Sequence, residues 1–275
     1  MTSGAPVAVQ PLPRGGLGRV VGRRLTNWAP AVVVLVGTLA IWQEAIDLFH
    51  VKKFLLPQPW TIATTFWDER HELLSAGWLT FQEAFGGFAI GCGLAILLAL
   101  ALARWRRVGE ALMPYAIAAN AVPIIAFAPI ADAWFSPFSK SSKMAIAAVL
   151  CFFPVLVNTL RGLTSVRPES LELMQSYAAS QVEIFRRVRV PTALPFLFTA
   201  LKIATVLSMI GAIVAQYFGG SFNDLGVLIN SRSQTFAYKE AWAGIFVACL
   251  YGIAFYVAVA LAERLALRWQ PSTSE

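Results

Sequence analysis

Few residues in this chain could carry covalent chemistry, and none stands at a spacing that would use it. There are two histidines, His50 and His71, and both fall outside the long apolar runs. No His-Glu-x-x-His metal motif occurs, and no Ser/His pair can meet at membrane depth. None of the six lysines follows a glycine, so the chain has no Gly-x-x-x-x-Gly-Lys-Ser/Thr phosphate loop. The three cysteines, Cys92, Cys151 and Cys249, sit within apolar runs without metal-ligand spacing, as small hydrophobes do. An enzyme is the poorest reading of these residues.

Polar groups stranded inside apolar runs are more informative. Glu83 stands beside Gln82 in TFQEAFGGF, and Asn120, Asn158 and Gln216 interrupt other runs. A buried acid there reads either as a helix-end carboxylate facing outer water or as a pore-facing, gating residue. Neutral amides either line a pathway or hold helices together through hydrogen bonds. Asn120 favours the pathway, because nearby Pro123 opens the backbone. Glu83, Asn120 and Gln216 are therefore the candidate pathway residues. Asp132 and Lys202 are further ionisable groups in apolar runs, Lys202 with a stem long enough to snorkel to the cytoplasmic interface. The glycines of GGFAIGCG (86–93) have no strand before them and suit close helix packing better than a phosphate.

The elements that must position these groups are set by composition. Hydrophobic residues make up 57% of the 275 and charged residues only 13%, too few to wet a surface all round. Apolar runs long enough to span a bilayer occur six times, at 28–49, 79–103, 112–135, 144–163, 193–218 and 241–265. With the N-terminus inside, 14 basic residues fall on the cytoplasmic side and 7 outside, which places both termini in the cytoplasm. The net charge of +7 is thus topology signalling, and nucleic acid is not an expected partner. The expected organisation is a tail at 1–27, a membrane domain at 28–268 and a tail at 269–275. Arg23-Arg24 resembles a twin-arginine export signal, but no small-residue cleavage site follows, so the first run reads as an uncleaved helix. Outside, 50–77 carries a short interfacial helix in LLPQPWTIATTFW, and 219–240 opens with turn chemistry.

Between the fourth and fifth runs the chain interrupts itself with TSVRPESLELMQSYAASQVEIFRRVRVPTALP (164–195). Pro168 suits a first helical turn, and Glu169 and Glu172 suit its positive end. Leu171, Met174 and Ala178 share one face, and the small residues Ala178-Ala179-Ser180 allow a close turn. A second helix follows with Val182, Phe185 and Val188 on its apolar side and Arg186, Arg187 and Arg189 exposed, and Pro191 is expected to end it. Nothing in the chain is obviously placed to cover that stripe, which marks a docking site or a membrane-surface helix.

This arrangement resembles the EAA loop of the permease subunits of bacterial binding-protein-dependent ABC importers. Glu172 matches the opening acid, Ala178-Ala179-Ser180 takes the place of Gly-Ala-Ser, and IFRRVRVPTALPFLFTALKIA (184–204) matches the downstream portion. Leu173-Met174 replaces the usual two alanines, and Ala178 replaces the glycine. TFQEAFGGFAIGCGLA (80–95), NAVPIIAFAPIADAWF (120–135) and FFPVLVNTLRGLTSVRPESLELM (152–174) are similar to the nitrate/sulfonate/taurine branch. LMQSYAAS with VRVPTALPFLFTALKIA most resembles its offshoot for pyrimidine thiamine precursors and riboflavin. The resemblance implies an all-α integral inner-membrane protein of six transmembrane helices with a cytoplasmic coupling helix in segment 165–191. It implies a homodimer, two ATPase subunits inside that bind the ATP, and a soluble binding protein outside. It assigns ATPase coupling to Glu172, Tyr177, Ala178, Ala179, Ser180 and Phe185, with Arg186 and Arg187 on the rim. No cofactor is expected on this chain. The competing class is an ion-coupled carrier or channel, which would not need the cytoplasmic helix pair.

Overall fold

A computed structural model describes residues 17–49, 52, 56–119 and 123–268. Every regular element among them is helical. The first unit, through Trp60, contains α1 (Leu17–Leu48), which takes in the first apolar run, starts inside the expected tail and carries Pro30. Asn120 lies outside the described residues.

The second unit begins at Thr61. Its elements are α3 (Arg70–Arg104), α4 (Arg106–Ala119), α5 (Ile124–Phe135), α6 (Lys140–Thr164) and α7 (Pro168–Ser176). Then come α8 (Gln181–Ile184), α9 (Val190–Phe218), α10 (Leu225–Gln234) and α11 (Tyr238–Ala266). Helix α2 (Pro59–Asp68) crosses the division and supplies the short helix expected in the outer segment; its Phe66 packs edge-on to Phe246 of α11 at 5.4 Å. Among the described residues four helices are long and apolar enough to cross a membrane: α3, α6, the continuous helix 181–218 and α11. They contain the second, fourth, fifth and sixth apolar runs.

The third run, 112–135, is not one helix. Pro123 is extended, with φ −69° and ψ 107°, and α5 starts after it. Its ring fixes φ and removes the N–H that would continue a helical ladder, so α4 and α5 are separate pieces.

Helices α3, α6 and α9 form the core, with Cys92, Ala95, Ala99, Cys151, Val155 and Ala200 among its buried residues. Small residues let the backbones approach. A Cβ on Gly87 would meet Ala147 and the Met144 carbonyl, and one on Gly91 would enter the Ala148 backbone. Gly86, Gly87 and Gly91 therefore pack against α6, whereas a Cβ on Gly93 would meet nothing within 4 Å. Cys249, unlike the other two cysteines, is exposed.

Candidate functional site

The interruption between the fourth and fifth apolar runs folds as two short helices around a tight turn. Arg167 is extended, Pro168 opens α7 and Glu169 lies in its first turn, as the sequence predicts. At the other end Ala178 adopts φ 53°, the left-handed region that glycine usually fills. Its N–H donates to the Gln175 carbonyl at 2.9 Å, and the Ala179 N–H reaches back to Met174 at 3.0 Å. Those two bonds make a Schellman cap, and they fix the turn by backbone alone. Ser180 then opens α8 with a capping box: its Oγ accepts from the Glu183 N–H at 3.3 Å, while the Ser180 N–H donates to Glu183 Oε2 at 2.9 Å.

An alanine held left-handed costs about 1–2 kcal/mol more than it would in a helical conformation. Ala178→Gly is therefore expected to tighten the cap, slowing exchange of the Ala179 amide by about fivefold. Amide hydrogen exchange checks this; unchanged or faster exchange would contradict the assigned turn.

Pro191 does not end the second helix. Phe185–Arg189 form a π-helical turn, with the Val190 N–H donating to the Phe185 carbonyl, and α9 continues through Pro191 and Pro195. The wider turn accommodates a ring that would otherwise press on the carbonyl four residues back. The segment and the fifth apolar run are thus one unbroken helical lever from Gln181 to Phe218.

The apolar stripe is covered in part by the chain itself. Ile184 is 2% exposed, and Phe185, expected on the docking face, is half-buried against the α3–α6–α9 core. Leu171 lines a cavity of about 310 Å³ with Ala103, Leu163, Val166 and Pro168. What remains outside is Tyr177 (76% exposed), Val182 (66%), Leu173 (57%) and the Ala178 turn, flanked by exposed Glu172, Arg186 and Arg187. Leu173 was noted in the sequence as a departure from the usual alanines and not as a docking residue, because the turn geometry that leaves it outside is not written in the periodicity.

A second cluster lies at the other end of the bundle. Glu83 and Gln216, predicted separately as pathway residues, meet there: Gln216 Nε2 donates to Glu83 Oε2 at 2.7 Å and to Thr80 Oγ1 at 3.0 Å. The first residues of α10 complete the cluster, with the Gly226 N–H donating to Gln216 Oε1 at 2.8 Å and the Leu225 N–H to Thr80 Oγ1 at 3.1 Å. Glu83 is 2% exposed and Gln216 1%, so Glu83 does not face open water in this chain. Thr80 went unnoticed in the sequence, although it stands one helical turn before Glu83. Asp224, ahead of α10, accepts the Ser221 N–H at 2.7 Å, and burial raises its carboxyl above the usual range. Beside this cluster Lys143 meets Asp132 at 3.3 Å, and the Ser142 hydroxyl donates to the same carboxylate at 2.5 Å. Near the middle of α9, Lys202 pairs with Glu263 of α11 at 2.7 Å. Among the described residues no group of His, Cys, Asp or Glu could hold a metal ion.

The family of binding-protein-dependent transport system inner membrane components matches residues 91–271, which includes α6, the turn and α9. The chain belongs to that family. Among its relatives is the riboflavin transport system permease protein RibX of Chloroflexus aurantiacus, 32% identical over 87% of this chain and 90% of RibX. The formylaminopyrimidine transport permease protein ThiX of Halalkalibacterium halodurans is 33% identical over 84% of this chain and 92% of ThiX. The putative aliphatic sulfonates transport permease protein SsuC of Bacillus subtilis is 28% identical, covering 91% of each chain. The expected family and branch are those that the comparisons return. As a family member the chain is a membrane component of an importer, with ATP hydrolysis on a separate subunit.

Proposed function

We propose that this chain forms the translocation pathway of an ATP-driven importer for a small organic solute. The solute is of the pyrimidine or riboflavin type, or a sulfonate or nitrate. The names of the relatives support the solute classes, and the absence of a phosphate loop puts the motor on another chain. Six spans are proposed: α1, the α4–α5 pair as one broken crossing, and the four long helices. Both termini lie in the cytoplasm, two copies surround the pore, and a soluble binding protein delivers solute outside.

The observation that carries the mechanism is the capped turn after α7. It holds Leu173, Tyr177 and Ala178 outward at the head of one continuous helix to Phe218. An ATPase groove that closes on this turn, with Glu172, Ala179, Ser180, Arg186 and Arg187 at its edges, moves the lever as a rigid body. Phe185 supports the turn from beneath. At the other end of the lever, Gln216 holds α3 and the start of α10 through Glu83 and Thr80. We assign that cluster to an outer gate, which opens when α9 tilts. Asn120 is proposed for the pathway wall.

The test is a titration of the chain in lipid nanodiscs with its ABC ATPase subunit. Saturable binding at one ATPase per permease copy is the expected result; no association at micromolar concentration would contradict the proposal.

A further inference from the structure

The end of α3 and the α8–π turn enclose a cavity of about 550 Å³ lined by Leu100, Ala103, Arg104, Gln181, Val182, Phe185 and Arg189. We propose that it binds the phosphate and upper acyl chain of an anionic glycerophospholipid. The lining divides by chemistry. Arg104 and Arg189 offer two guanidinium forks, which match phosphate oxygens in bidentate geometry, and Gln181 adds an amide. Leu100, Val182 and Phe185 offer an apolar wall that a soluble anion has no use for but a fatty chain does.

The site lies at the level where a headgroup belongs. Arg104 is the last residue of the long apolar α3, and Trp105, which follows it, is 61% exposed. Tryptophan at the end of a span marks the interface between hydrocarbon and water. Among the described residues neither Arg104 nor Arg189 takes part in an ion pair, so both charges are available to an external phosphate. The π turn carries Arg189 between this cavity and the smaller one beneath α7, so a bound phosphate would touch the base of the lever. Basic pockets between membrane helices on the cytoplasmic side are suited to anionic headgroups. The inference rests on the proposed orientation only for the leaflet, which would be the inner one.

The test uses the full chain alone, without ATPase, in micelles doped with phosphatidylglycerol or phosphatidylcholine, and counts retained lipid by native mass spectrometry. Retention of phosphatidylglycerol is expected to exceed that of phosphatidylcholine by about tenfold, from two arginines at the surface of a membrane. R104Q/R189Q is expected to erase that preference, and Val182→Trp, which fills the apolar wall without touching either charge, to lower retention of phosphatidylglycerol. Millimolar glycerol phosphate, which has the anion and no acyl chain, is expected to leave the wild-type complex intact, an arm that needs no variant to fold. A preference that survives R104Q/R189Q would overturn the proposal. Displacement by glycerol phosphate would do the same, as the mark of a simple anion site. So would release of the lipid on adding the ATPase, as the mark of a protein-covered surface. Failure of the ATPase to bind in its own titration would leave this result unaffected.

Discussion

Tyr177→Asp is expected to abolish ATPase docking and ATP-driven uptake while leaving the chain folded in the membrane. Tyr177 is 76% exposed at the end of α7, and the bonds that shape the turn are backbone bonds from Ala178 and Ala179, so its side chain is free to serve a partner. Aromatic anchors at the centre of an interface commonly contribute about 2 kcal/mol or more. An aspartate in the same pocket adds the cost of burying an unpaired charge. Together these predict a loss of at least about 3 kcal/mol, or more than a hundredfold in affinity. Nanodisc titration and vesicle uptake check it alongside helical content. Wild-type docking by the variant would remove Tyr177 from the interface. Phe185→Asp would be a poor substitute, because Phe185 packs on the bundle core and its replacement unpacks the lever as well.

The largest stability effect is expected from Gln216→Leu. The substitution keeps the side chain's bulk but removes the donor to Glu83, the donor to Thr80 and the acceptor for the Gly226 N–H. Among the described residues Gln216 is the one hydrogen-bond donor to the Glu83 side chain, which is 2% exposed. Leaving a buried acid and a buried N–H without partners costs about 3–5 kcal/mol. For a chain of this size that is a fall in Tm of about 10 °C, measured in detergent against the wild type. Glu83→Gln in the same background should recover part of it, since a neutral amide tolerates the site better than a carboxylate. A Tm within a degree or two of the wild type, or no recovery in the double variant, would contradict the network as described.

Much of this was legible in the sequence because bilayer-spanning helices announce themselves by length and composition. The four long helices fall where apolar runs fell, and the α7 start follows from Pro168 and Glu169. The resemblance carried by 152–174 and 184–204 led to the right family. What was not legible depends on contacts between distant residues. Gln216 and Glu83 are 133 positions apart, and nothing in either neighbourhood says that they meet. Phe185 looked like part of an unclaimed stripe because the core it packs against is drawn from α3, α6 and α9, from residues distant in the sequence. Pro191 read as a stop because the rule assumes an α-helical turn; a π turn evades it. Pro123 did what proline usually does, and divided a run that hydropathy alone had joined. Ala178 shows the same limit from the other side. The sequence raised the question of how alanine could replace glycine, and the left-handed cap answers it at a cost the turn tolerates.

Uptake by sealed vesicles containing this chain, its ATPase and an external binding protein tests the account most directly. Solute accumulation should require nucleotide hydrolysis, persist when ion gradients are collapsed, and vanish with Tyr177→Asp. Accumulation driven by an ion gradient in vesicles holding this chain alone, with no nucleotide, would contradict the account.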